Sequence, residues 1–301
     1  MQNMSENANN EPVMASETPS VESSRPTALG WLDAVVVIIA FVLSMTLGGV
    51  LCVALGVRMP GEAMTTSFDV EVLEAAASMQ ARFVAIAYML SMVICYAFLL
   101  VYFRVRKMPL KECICTRFSV SPIRLLTGYM LMWFVSIAVE PLASLLPGDQ
   151  DALGGGGWLL VSAVLLAPLF EESIFRGYLC GVLRKSYGGL TAWIISAVVF
   201  GLVHAIPSVI LTATLSGLVL GYYYLRTRSL WMVIALHALN NLTACFLRLI
   251  DMGDVTVREM LGGGAVYWGV YAFCTVAALT ALVSMGRYVK GIKSDNNSLK
   301  E

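Results

Sequence analysis

Two adjacent carboxylates, Glu171 and Glu172, close an apolar run that stretches from Trp158 to Phe170 without a charge, and Arg176 follows them. An ionised side chain in the middle of a membrane span costs at least about 2.5–3.5 kcal/mol, so such residues mark function by default. On a helix Glu172 and Arg176 stand four apart, share a face and can pair. Glu171 lies about 100° away around the helix and lacks that partner. A carboxylate placed so is suited to take a proton from water. Pro168 removes a main-chain donor just upstream and bends the helix before the pair. The chain's two histidines, His204 and His237, also fall in apolar runs. One buried histidine is ordinarily a satisfied core residue, whereas two, with none elsewhere, point to a shared site. Asn241 follows His237 by four residues and lies on its face, and Asn240 lies close to it. No nucleophile competes: Ser173 has no base at helical spacing, and Ser216 and Gly217 are not part of a Gly-x-Ser-x-Gly elbow.

The elements that must carry these residues are membrane helices. Of 301 residues, 58% are hydrophobic and 13% charged, and mean hydropathy is +0.76. A soluble domain averages about 45–50% apolar and about 25% charged. Spans need about 20 apolar residues, and eight candidates are present: 31–57, 83–103, 125–146, 158–182, 189–205, 209–225, 230–250 and 265–287. The expected fold is therefore all-α, a polytopic membrane helix bundle of about eight transmembrane helices. The fifth and sixth spans are short and flank Pro207, as in a tight or partly re-entrant hairpin. Residues 1–28 are polar, lack the basic and apolar regions of a signal peptide, and read as a disordered tail. Residues 29–290 form the membrane domain, with a catalytic core at about 155–250, and 291–301 form a second tail.

Lys and Arg set the orientation. Arg104, Arg106, Lys107, Lys111, Arg117 and Arg124 follow the second span, Arg184 and Lys185 the fourth, Arg226 and Arg228 the sixth, and Arg287, Lys290 and Lys293 the eighth. Alternating helices put all of these on one side. The opposite loops are poor in positive charge, with Asp149 and Asp151 in 147–157. Both termini are therefore expected in the cytoplasm of a multi-pass cell-membrane protein. Asp33, Glu140 and Arg248 lie towards span ends, within reach of water. Gly154–Gly157 and Gly262–Gly264 read as flexible outer turns. The pairs Gly177 with Gly181 and Gly217 with Gly221 permit close helix packing. The seven cysteines form no metal or disulfide framework, Cys113 and Cys115 being the only close pair and reading as free thiols. A net charge of zero gives no sign of nucleic acid as a partner.

Depth along the helices is a first test of convergence. At about 1.5 Å per residue, Glu171 lies about 10 Å from the cytoplasmic boundary, His237 about 10 Å in and Asn241 about 16 Å in. His204 comes out about 21 Å deep and fits least well.

Glu171-Glu172-x-x-x-Arg176, Phe200-x-x-x-His204 and His237-x-x-x-Asn241, in this order on successive apolar helices, resemble the CPBP family, the type II CAAX prenyl endopeptidases and their bacterial relatives, also called the Abi family. The resemblance covers about 155–250, roughly a third of the chain, with no departure at the motif positions. It implies an intramembrane endopeptidase acting on a membrane-associated protein or peptide. It further implies Glu171 as general base with His204 assisting, His237 and Asn241 as donors to the oxyanion of a tetrahedral intermediate, and Glu172 and Arg176 as orienting residues. Two readings of the cofactor stay open. The family is named for metalloproteases, and Glu171, His204 and His237 would be a known kind of Zn2+ ligand set. A metal-free water activation by Glu171 is favoured by the absence of a ligand-spaced histidine on its own helix.

Two other classes compete. A proton-coupled transporter would use the same groups as a relay but calls for inverted repeats and paired broken helices, and neither is evident. A non-catalytic immunity or scaffold protein would not need intact motifs. The substrate and the oligomeric state are not legible.

Overall fold

Backbone groups in hydrocarbon find no solvent, so each apolar run closes its own hydrogen bonds as a helix. The computed structural model describes residues 30–108, 117–147, 154–250, 252–253 and 255–294, with no β-strand among them. The expected tail 1–28, the Cys113–Cys115 pair, Lys111, and Asp149 and Asp151 lie outside the described residues. In chain order the helices are α1 (Trp31–Ala54), α2 (Glu62–Thr65), α3 (Val70–Val105), α4 (Pro122–Ala143), α5 (Gly157–Tyr187), α6 (Gly189–Leu202), α7 (Pro207–Thr227), α8 (Leu230–Leu249), α9 (Val257–Met260) and α10 (Ala265–Lys290).

Seven of these helices are long and apolar enough to cross a membrane, and α6 is a shorter apolar helix of 14 residues. It rises only about 21 Å, short of a hydrocarbon core of about 30 Å. The expected eight spans are thus seven full ones and a short one. The fifth ends at Leu202 rather than 205, and the fourth runs on to Tyr187 rather than 182. The start and stop signals are local. Asp69 caps α3 by accepting from Glu71 N at 3.0 Å, Pro207 occupies the first turn of α7, and the left-handed Arg228 ends it. Ser229, fully buried, accepts from Met232 N at 3.2 Å and so caps α8.

Helix α5 runs through the middle of the bundle, touching α1, α3, α6, α7 and α8. Large apolar side chains point outwards, among them Leu43 and Val50 on α1 and Phe273 and Val276 on α10, as a lipid-facing surface requires. Close helix approach relies on small residues. A Cβ on Gly48 of α1 would stand 2.6 Å from Ser91 N and 2.7 Å from the Ala87 carbonyl of α3. On Gly217 of α7 it would stand 3.2 Å from Ala197 Cα of α6, so this expected packing pair works as read.

Three expectations change. Asp33 is not at a watery span end: it is 1% exposed, accepts from Tyr102 Oη at 2.7 Å and from Gly30 N at 2.8 Å, and pairs with Arg106 at 3.2 Å. The Gly154–Gly157 turn is docked rather than free, with Gly155 N donating to the Ala77 carbonyl of α3 at 3.0 Å. The start of the expected second tail is also tied down, since Gly189 N donates to the Ile292 carbonyl at 2.9 Å.

Gly201 has the least room, since a Cβ there would meet Thr214 Oγ1 and stand 2.7 Å from the Ile210 carbonyl of α7. Gly201→Val should therefore cost about 1–3 kcal/mol, read as a lower melting temperature in detergent. Gly269→Val is the control, as Gly269 has nothing within 4 Å of that position. Equal melting of the two variants would refute the close α6–α7 contact.

Candidate active site

The fourth-span motif does not lie on a regular α-helix. Within α5, Val161–Leu166 and Glu172–Cys180 are π-helical, a widened form that clusters at functional sites. Pro168 supplies one cause. It has no N–H to offer, and five residues back, in the π register, is Ala163, whose carbonyl accepts instead from Asn241 Nδ2 at 2.8 Å. The expected bend becomes a widening, with the open carbonyl closed from α8.

Glu172 and Arg176 are both fully buried and pair at 3.1 Å, as their spacing predicts. The same carboxylate oxygen, Oε1, accepts from His237 Nδ1 at 2.8 Å. Arg176 also donates from Nη2 to the Gly217 carbonyl at 3.1 Å, and its guanidinium lies 4.2 Å from the centroid of the Phe200 ring. Glu172 Oε2 and Arg176 Nε have no hydrogen-bond partner. One carboxylate therefore ties α5 to α8, and its counter-ion ties α5 to α6 and α7.

His204 is not inside a helix. It stands in the turn between α6 and α7, where Ala205 has φ +61° and Ile206 N donates to the His204 carbonyl at 2.7 Å. Its Nδ1 lies 2.8 Å from the Phe200 carbonyl. A carbonyl only accepts, so Nδ1 carries the proton and a neutral His204 presents Nε2 as its lone pair. The Glu172 contact fixes His237 in the same way, and for His237 to donate from Nε2 it must be an imidazolium facing that carboxylate. The Phe200 ring stands edge-on to both imidazoles, with centroids 5.0 Å from His204 and 5.8 Å from His237.

Glu171 is half-buried and apart from this network. Its partner is Tyr88 of α3, whose hydroxyl donates to Oε1 at 2.7 Å. Sequence reasoning missed Tyr88, although a tyrosine inside an apolar span needs an acceptor for its O–H and so carries a signal. Ser173 spends its hydroxyl on the Leu169 carbonyl at 2.6 Å. Among the described residues no three His, Cys, Asp or Glu side chains group closely enough to hold an ion, so Glu171, His204 and His237 are not brought together as a ligand set. A cavity of about 600 Å³ opens elsewhere, with Glu140, Ser208, Thr212, Asn240 and Thr243 in its walls. Asn240 lines it, whereas the Glu172–Arg176–His237 network does not.

Comparison with known proteins falls on this same stretch. Residues 154–243 match the family model of type II CAAX prenyl endopeptidases, described as Rce1-like. The chain is 31% identical over 111 residues to the "Putative membrane peptidase YdiL" of Bacillus subtilis (strain 168). That match takes in 35% of this chain and 46% of the relative, so the chain spans about half the length of the relative it matches. No solved structure matches.

The left-handed Ala205 sets the direction in which His204 leaves the turn. An L-residue in that conformation carries about 1–2 kcal/mol of strain, and a β-branched one carries more. Ala205→Gly should keep or raise thermal stability in detergent by up to about 1 kcal/mol, while Ala205→Val should lower it by at least about 1 kcal/mol. A Val variant as stable as the Gly variant would contradict this turn geometry.

Proposed function

We propose that this chain, whose residues 154–243 match the Rce1-like family model of type II CAAX prenyl endopeptidases, is an intramembrane endopeptidase that cleaves a peptide bond of a membrane-associated protein or peptide. The observation that carries the reading is the division of the two adjacent carboxylates. Glu172 is tied up by Arg176 and His237, whereas Glu171 has a single hydroxyl partner at Oε1 and keeps Oε2 for water.

In this reading Glu171 takes a proton from water as the oxygen adds to the scissile carbonyl carbon, and the carbonyl π electrons move onto its oxygen. His204, with its Nε2 lone pair, assists in that proton transfer. The second N–H of the Asn241 carboxamide and the His237 imidazolium stabilise the oxyanion. When the intermediate collapses, the C–N bond breaks and the amine leaves with the proton that Glu171 held. Glu172 and Arg176 orient His237 and hold the helices in place. In this reading Glu171 activates water without a metal; among the described residues Glu171, His204 and His237 do not group as a ligand set.

The Lys and Arg asymmetry supports a cytoplasmic side for both termini and the 104–124 segment of a cell-membrane protein. Partners are the bilayer and the substrate; the positions of the basic residues give no reason to include nucleic acid. A scaffold or immunity role is the second reading, favoured by the structural load on Glu172 and Arg176, which such a protein would need as well.

Glu171→Gln separates these readings. Comparative peptidomics of cells carrying the wild-type chain and this variant should show cleavage products that vanish with Glu171→Gln, while the variant melts within about 1 kcal/mol of wild type because no buried ion pair is broken. Asn241→Ala should retain cleavage, slowed by about 10²–10³ in kcat. Chelation should leave the purified wild-type chain active. Product profiles that do not change with Glu171→Gln would end the endopeptidase reading in favour of the scaffold.

A further inference from the structure

Helix α3 lies outside the segment that carries the sequence motifs, yet it grips the polypeptide at Glu171 from one side. Tyr88 donates its hydroxyl to Glu171 Oε1 at 2.7 Å, and its ring packs against Phe170 with centroids 6.4 Å apart. Two turns further along, Tyr96 packs on the same Phe170 ring at 5.7 Å and directs its hydroxyl to the Phe170 carbonyl at 3.5 Å. The needs of the two groups match. A phenol inside an apolar span requires an acceptor, and a carboxylate without a cation requires a donor.

We infer that Tyr88 is the positioning residue of the proteolytic site, a role that rests on the endopeptidase reading: its O–H holds Oε1 of Glu171 and so aims Oε2 at the water to be activated. A free glutamate side chain turns about three bonds, and one fixed oxygen removes most of that freedom. The two rings on Phe170 keep the backbone of α5 in register with α3, so the hydroxyl arrives on a set position rather than a loose one. The site thereby depends on a helix that the motif segment does not include.

A core tyrosine that merely satisfies its own hydroxyl would show the same contact, and the test must move only if Glu171 is being aimed. Tyr88→Phe keeps the ring and its packing. On a peptide identified by the peptidomics above it should lower kcat about 10- to 100-fold and leave KM within about twofold, with only a small drop in melting temperature in detergent, because Glu171 is half-buried and water can replace the lost donor. A second readout does not need turnover. With 13Cζ-labelled tyrosine, the Tyr88 resonance, identified by its loss in Tyr88→Phe, should shift in Glu171→Gln. Wild-type kcat in Tyr88→Phe would overturn the positioning role while leaving the endopeptidase reading standing. A Tyr88 resonance unmoved by Glu171→Gln would overturn the contact itself. A product profile indifferent to Glu171→Gln would instead remove the endopeptidase reading and with it the catalytic meaning of a contact that the resonance still reports.

Discussion

Glu172 is fully buried, and a carboxylate taken out of water must find its counter-charges inside the protein. Arg176 and His237 both meet it at Oε1. Arg176 in turn spends a second nitrogen on the Gly217 carbonyl of α7 and lays its guanidinium over Phe200 of α6. Four helices are thereby fixed against one another by a single ion pair and its hydrogen bonds. Such a network adds little net stability over an apolar core of the same shape, because desolvation offsets the attraction. It does set register: sliding any of the four helices would strand a charge in a medium that cannot solvate it.

Several features of the site follow from that constraint. Phe200 serves both imidazoles at once, accepting from His204 through its carbonyl and standing edge-on to both rings, while its ring face covers Arg176. The π-helical stretches of α5 let Glu171 and Glu172 leave the helix into different surroundings. One enters the charged network, and the other faces a tyrosine on α3. Two adjacent carboxylates would repel each other if both had to be held as anions in the same space. Their separation onto different faces of α5 is what lets one be structural and the other reactive.

Much of this was legible in the sequence, for reasons that can be named. Charge in apolar runs singled out Glu171, Glu172 and Arg176, and four-residue spacing paired Glu172 with Arg176. Two histidines with no others in the chain pointed to one site, and the structure places both against Phe200. What was not legible needed tertiary structure or helix geometry away from the α period. In an α-helical register Pro168 would leave the Val164 carbonyl open; the widened register of α5 leaves that of Ala163 instead, which Asn241 then closes. The short α6 put His204 in a turn, which hydropathy alone reads as more span. Tyr88 lies 83 residues from its partner, and no periodicity links the two. Asp33 looked solvated from its place at a span end, whereas Tyr102 of α3 and Arg106 just past its end fold over it.

The organising role of the buried pair is tested most directly by a double-mutant cycle on thermal unfolding in detergent, with Glu172→Ala, Arg176→Ala and the double variant. Each single change leaves one charge buried without its partner, at about 3–5 kcal/mol. The double change leaves neither, so its loss should fall short of the sum of the two singles by at least about 1 kcal/mol. Losses that add within about 0.5 kcal/mol would show that Glu172 and Arg176 act independently, and would contradict the view that this one carboxylate holds the site together.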